Sequence, residues 1–146
     1  MSNNIYPLTK EAAFTVASHL TFEDKRECTE GHGIDPFLLA IGALSGDDSY
    51  YFKAPDGKSA AIGGVENDGK IWMLCTDSVK EFPRTFARDC KRMIDSRPEK
   101  LLWNVVDKRN TTHIKLLRIL GFKFLREVLY GPNLLTFIEF CKINVR

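Results

Sequence analysis

The sequence has no apolar run long enough to cross a bilayer. The longest, around "FLLAIGAL", falls far short of the roughly 20 residues a spanning helix needs, so no membrane segment is expected. The four cysteines, Cys28, Cys75, Cys90 and Cys141, are widely spaced, with no C-x-x-C pair. His19, His32 and His113 offer no ligand spacing either. A metal site is therefore not expected, and the thiols read as buried free cysteines of a reducing cytosol. The stretch "MSNNIYPLTKEAA" lacks the apolar centre of a secretion signal, which predicts a protein that is not secreted. Neither sign of charge dominates. Twenty-one basic and 19 acidic residues leave +2, too mild to argue for nucleic acid, and no direct nucleic-acid motif is present. Linkers, internal repeats and low-complexity stretches are missing too, so residues 1–146 read as one domain, long enough to bury a core without staples.

What is present is an ordered succession of helix and strand texture. "NIYPL" reads as a short strand, and Thr9 opens a helix over "KEAAFTVASHL" with Ala13, Phe14, Ala17 and Leu20 on one face. Thr21 and Asp24 have the offset of a capping box before "FEDKREC", which "GHG" ends. Asp35 and Pro36 then start a helix over "FLLAIGAL". Asp-Gly turns in "PDGK" and "NDGK" separate "SYYFKA", "SAAIGGVE" and "IWMLCT", which predicts three consecutive antiparallel strands. Gly63 and Gly64 inside the second strand suggest a bulge or a close backbone approach. A helix from about Pro83 to Asp95 turns Phe86, Cys90, Met93 and Ile94 inward. "LLWNVV" is a nearly continuous apolar strand, and "NTTHIKLLRILGF" is a helix opened by Asn110 and stopped by Gly121. "FKFLREVLY" and "LLTFIEFCKI" close the chain as a hairpin around "GPN". A single β-α-β crossover in this order predicts an α/β fold: a mixed, mostly antiparallel sheet of seven strands with helices on both faces.

That order, over residues 5 to 142, resembles the GNAT family of N-acetyltransferases. The helix "NTTHIKLLRILGF" matches the family pattern at Asn110, Leu116, Gly121 and Phe122, and departs from it at His113 and Leu117, where a small residue and a tyrosine are usual. A closer similarity joins "AIGG", the tryptophan and "TD" of "IWMLCTD", and above all "LLWNVVDKRNTTHIKLLRILGF" to the small internal virion protein of short-tailed bacteriophages, a GNAT-like group. This similarity covers about residues 60 to 125, with Trp103, Asn104, Asn110 and His113 as recurring positions.

The GNAT resemblance implies acetyl-CoA as cofactor. Its pantetheine arm would lie in a gap between "IWMLCT" and "LLWNVV", with Leu74, Cys75, Thr76, Lys80, Arg84, Thr85 and Asn110 as the positions that would hold it. The family holds the pyrophosphate on a glycine-rich loop, whose backbone N–H groups approach the anion at a helix N-terminus. The corresponding loop here, "DSVKEFPRTF", has no glycine, and Pro83 removes a donor. An anion would have to be held by Lys80, Arg84 and the N–H groups of Thr85 and Phe86. Leu117 cannot protonate a departing thiolate as the family's tyrosine does.

Each candidate residue has two readings. Asn110 caps its helix or also orients a cofactor; His113 is a general base or a polar residue packed at the helix start. Arg84, Arg88 and Lys91 receive phosphates or form a solvated face. Asp77 and Glu66 deprotonate an acceptor or simply occupy turns. Trp72 and Trp103 read as core anchors. Asn104 points opposite to Trp103, as an organiser of the gap or a ligand contact. The resemblance to the internal virion proteins implies a phage protein of virion assembly or the virion interior, acting through contacts with other virion proteins, in the virion or the host cytoplasm. Its GNAT-like domain would then be non-catalytic. The alternative is an active N-acetyltransferase that modifies a host protein or small amine with acetyl-CoA.

Overall fold

A computed structural model of the protein describes residues 4–144. In chain order its elements are β1 (Ile5–Pro7), α1 (Lys10–Ser18), α2 (Phe22–Arg26), α3 (Pro36–Leu44), β2 (Ser49–Lys53), β3 (Ser59–Val65), β4 (Ile71–Cys75), α4 (Pro83–Asp95), β5 (Leu101–Asp107), α5 (Thr111–Ile119), β6 (Lys123–Tyr130) and β7 (Leu135–Ile143). A π-helical turn, Glu27–His32, extends α2, and a 3-10 turn, Asp77–Glu81, precedes α4. The helix starts follow their side chains. Thr9, Asp35 and Asn110 each accept a backbone N–H of the first turn, and Gly33, at φ +69°, ends the π turn.

The expected seven-strand sheet is in fact two antiparallel sheets, one ordered β1-β2-β3-β4 and the other β5-β7-β6. β4 and β5 meet only at their closed end, where Lys70 bridges to Trp103 in parallel sense and the Trp103 N–H donates to Gly69 O at 3.1 Å. Beyond that joint the two strands diverge, because side chains rather than a ladder satisfy the facing edges. One core cluster packs α4 and α5 against one face, with the Phe52 and Phe86 rings 4.9 Å apart. A second packs α1 and α3 on the other face over Ile62 and Leu74. Helices on both faces thus stand as expected.

Of the bulge or close backbone approach expected at Gly63 and Gly64, the close approach holds: a Cβ on Gly64 would overlap Asp48 O, and one on Gly63 would lie 2.8 Å from Trp72 O. The irregularity of this sheet lies instead at Phe52/Lys53. Two local expectations change. Trp72 is partly buried and packs against the α1–α3 core, whereas Trp103, also partly buried, belongs to neither core cluster and is not a core anchor. Trp103 sits over the β3–β4 turn, donating Nε1–H to Asp68 O at 3.1 Å with Lys70 Nζ 5.8 Å from its ring. Finally, Thr21 accepts the Asp24 N–H, but the Asp24 carboxylate does not close the capping box. It reaches across to β4 instead.

Ion pairs tie distant elements together. Arg97, beyond the end of α4, donates to Asp48 before β2 at 3.0 Å and to both Glu99 oxygens at 2.9 and 2.6 Å. Hydrogen bonds from Arg97 hold the Asp48 and Glu99 carboxyls below their ordinary values. Burial raises the Asp107 carboxyl, but the side-chain and backbone donors of Arg109 outweigh it and leave Asp107 lowered. Below the unfolded carboxylate pKa values the unfolded chain binds more protons than the native one at these three positions. Their stabilisation is therefore fully present only about a unit above 4.5, the ordinary Glu value, and is lost as pH falls through the lowered native values. Asp24, raised by burial, works in the opposite sense. Urea melts should show stability falling between pH 5 and pH 3, with a shallower fall in Arg97→Gln, which releases two of the three acids; equal slopes would refute the assignment.

Candidate functional site

The gap between β4 and β5 is the candidate site. Thr76 N–H donates to Ala60 O, so in the β3–β4 ladder the alternating backbone groups of Ile71, Met73 and Cys75 face away from β3, into the gap. Two of these three residues are engaged from across the gap or from α2. The Asn104 amide donates Nδ2–H to Ile71 O at 2.7 Å, while its Oδ1 accepts the Val105 N–H at 2.7 Å, so one side chain satisfies both strands. At the open end, Asp24 Oδ2 accepts the Cys75 N–H at 2.7 Å, and the Thr21 N–H donates to Cys75 O at 2.9 Å. On the β5 side Glu27 Oε1 accepts the Asp107 N–H at 3.1 Å. Met73 remains, its backbone facing a cavity of about 350 Å³ lined by Leu74, Asn104, Val105, His113, Leu117 and Phe140 among others.

A buried polar chain closes the open end. Asn110 Oδ1 accepts the His113 N–H at 3.2 Å, capping α5, while its Nδ2 donates to Asp24 Oδ1 at 2.8 Å and Glu27 Oε1 at 3.1 Å. Glu27 Oε2 lies 3.7 Å from His32 Nε2, and His32 Nδ1 lies 3.1 Å from the Tyr130 hydroxyl. His113 Nδ1 stands 4.0 Å from Asp24 Oδ1, beyond hydrogen-bond range. Burial raises the Asp24 carboxyl above its ordinary value, although His113, Asn110 and the Cys75 N–H pull the other way. Burial also pushes the Cys28 thiol up to about 12, with Asp24 and Glu27 adding to the effect.

The expected site residues do not all converge. Leu74 and His113 line the cavity, and Asn110 lies buried behind it. Cys75 offers its backbone to α2, and Thr76 is buried, its hydroxyl donating to Ala60 O and accepting the Ser78 N–H. Asp77, Lys80 and Arg84 are exposed and outside the cavity; Lys80 pairs with Asp77 at 3.0 Å. Thr85 is half-buried on the first turn of α4. Phe86 is not an open donor: its N–H makes the first bond of α4, to Phe82 O at 3.0 Å. Only the N–H groups of Arg84 and Thr85 remain, next to Pro83 and with no side-chain cap. A 3-10 turn carrying an acid therefore stands where coenzyme A pyrophosphate would need a cradle of N–H groups. The residues present do not fit that grip.

Asp24, Glu27, His32 and Tyr130 are the members that sequence reasoning missed. Their only signal was the Thr21/Asp24 spacing, read as a helix cap. The π turn that swings Glu27 and His32 toward β5 and β7 has no sequence signature. Among the described residues no cluster of His, Cys, Asp and Glu could hold a metal ion, and no helix is long and apolar enough to cross a membrane.

Comparison with solved structures places the fold. An acetyltransferase of the GNAT family from Bacillus anthracis superposes with a TM-score of 0.70 at 7% identity, covering 99% of this chain and 97% of its own. One from Bacillus cereus ATCC 10987 reaches 0.70 at 11% identity, covering 98% of each chain. An acetyltransferase from Salmonella typhimurium, solved with its cofactor acetyl-CoA, reaches 0.66 at 13% identity over 99% of this chain and 96% of its own. At such identities the likeness establishes a GNAT-like fold and nothing about activity. No curated protein sequence matches the chain. A family model does, over residues 49–129, from the start of β2 through β6 and so across both strands of the gap. By that match, which spans more than half its length, the chain belongs to the family described as "Bacteriophage T7, probable scaffold protein Gp13".

Proposed function

We propose that this chain serves bacteriophage virion assembly through contacts with other virion proteins, on a GNAT-like domain that has given up its grip on coenzyme A. The observation that carries this reading is the occupation of the gap by the chain itself. Thr21 and Asp24 take the Cys75 backbone groups where a pantetheine arm would lie, and the buried hydrogen bond from Asn110 to Asp24 holds that carboxylate in place. Membership of the phage scaffold family supports the assembly role. A place in the virion interior, or in the host cytoplasm before packaging, and a part in DNA delivery rest on the resemblance to internal virion proteins.

The test is incorporation into particles. The double substitution Lys80→Ala with Arg84→Ala removes the two cations at the former phosphate position, both exposed. Particles carrying that variant should contain the chain at wild-type level and form plaques normally. Normal incorporation with lost infectivity would sink the reading.

One observation favours a second reading, an acetyl-CoA-dependent N-acetyltransferase acting on a host protein or small amine. The cavity places His113 and the outward backbone of Met73 beside an apolar space large enough for a slender ligand. Acetyl transfer to a lysine-rich acceptor by the purified chain, abolished by His113→Ala, would establish it.

A further inference from the structure

Most arginines of this chain are received by the chain itself. Arg97, Arg109 and Arg126 each meet carboxylates at 2.6 to 3.0 Å, and Arg26 and Arg118 lie over the Phe22 and Phe124 rings. Helix α4 is different. Arg84, Arg88 and Arg92 recur every four residues and so share one side of it, with Lys91 beside them, and all four are exposed. Among the described residues Arg84 and Arg92 have no carboxylate within 4.0 Å. Arg88 has only the buried Asp89 Oδ1, at 3.7 Å. Asp95, the one exposed acid of the helix, is already taken by Lys91 at 3.1 Å and Lys142 at 3.4 Å. With four cations and two acids, α4 holds as much net charge, +2, as the whole chain. The mild overall balance hides a concentrated stripe.

We propose that this side of α4 docks the phosphate backbone of nucleic acid without reading its sequence. The charge calls for a polyanion, and a guanidinium fork matches phosphate oxygens two at a time. The helical rise spreads the three arginines over about 12 Å. One strand of B-form DNA carries three to four phosphates in that length, at about 3.4 Å each. An acidic protein would match the charge too, but a protein interface centres on apolar or aromatic side chains, and α4 exposes no large apolar side chain. A phosphate backbone needs only the cations. Arg88 and Arg92 lie one and two turns beyond the first turn, where a coenzyme A pyrophosphate would sit, so the stripe is separate from that question.

Fluorescence anisotropy of a labelled DNA duplex of about 20 base pairs, titrated with the purified chain, tests this. At about 50 mM salt half-saturation should come at roughly 10 μM, and log affinity should fall with log salt at a slope of about −3. Arg88→Gln with Arg92→Gln should weaken binding at least about tenfold and flatten the slope by about two, with an unchanged circular dichroism spectrum. Lys10→Gln with Lys25→Gln removes the same charge from exposed positions on α1 and α2 and should change affinity less than about twofold. Arg84 stays in place throughout, which keeps the result apart from the coenzyme A question. No binding at about 100 μM chain would overturn the proposal. Equal weakening by the two pairs would overturn it as well, leaving net charge alone. So would a poly-glutamate peptide that displaces the duplex at equal charge, which would give the stripe to an acidic protein.

Discussion

Asn110→Ala should lower stability by about 3 to 5 kcal/mol and the melting temperature by roughly 10 °C or more. Asn110 is 2% exposed and makes three bonds at once: it caps α5 through the His113 N–H and donates to Asp24 and Glu27. Losing the cap costs about 1 kcal/mol. The larger loss is that two carboxylates, one of them buried, are left without their shared donor, at about 1 to 3 kcal/mol each. Native stability is only about 5 to 15 kcal/mol, so the variant would sit near the edge of folding. Asn110→Asp separates the contributions. It keeps the cap oxygen but sets a third carboxylate against Asp24 and Glu27, so it should be worse than alanine at neutral pH and recover as the pH falls. Urea melts of both variants check the order. Equal losses, or a loss of about 1 kcal/mol for both, would mean that Asn110 is only a helix cap.

Gly69→Ala should cost about as much from the opposite end of the gap. Gly69 has φ +88°, the left-handed region that a Cβ disfavours by roughly 1 to 2 kcal/mol. Beyond that strain, the new Cβ would collide with the Leu101 carbonyl, which is backbone and cannot swing aside. The turn must then retreat from β5, losing the Trp103 N–H bond to Gly69 O that joins the two sheets. A loss of about 3 kcal/mol or more is expected, with hydrogen exchange accelerated at Trp103 and Val105. Gly57→Ala provides the control: its φ is also +88°, but nothing lies within 4 Å of its Cβ, so it should cost the strain alone. Equal losses at the two glycines would show that the joint carries no extra energy.

The legible part of this protein was the part written in local chemistry. Thr9, Asp35 and Asn110 announced their helices, and the two Asp-Gly turns fixed β2–β3–β4, because caps and tight turns need particular residues at particular offsets. Helix α5, within "LLWNVVDKRNTTHIKLLRILGF", carried much of the resemblance that placed the fold and family. Asn104 as organiser of the gap was legible as well, since a buried amide in a covered strand demands partners. What stayed hidden was set by long-range geometry. The parting of β4 and β5 was foreseen only through the GNAT resemblance; nothing local shows what fills it, since the strand edges are satisfied by side chains 30 to 90 residues away. The same holds for Asp24. Its spacing from Thr21 announced a cap, yet its carboxylate is worth more to the Cys75 N–H and to Asn110 than to its own helix. Trp103 misled because aromatic size argues for burial, whereas here its ring covers a turn with its indole N–H still bonded.

The measurement that bears most directly on the central claim is calorimetric titration of the intact chain with acetyl-CoA, run beside a thermal-shift series. With the Cys75 backbone groups engaged by Thr21 and Asp24, Lys80 paired to Asp77 and no glycine cradle at α4, no heat and no shift are predicted up to about millimolar ligand. Dissociation in the micromolar range, weakened by Arg84→Ala and by Leu74→Trp, would contradict the claim and show a cofactor site rebuilt on new residues.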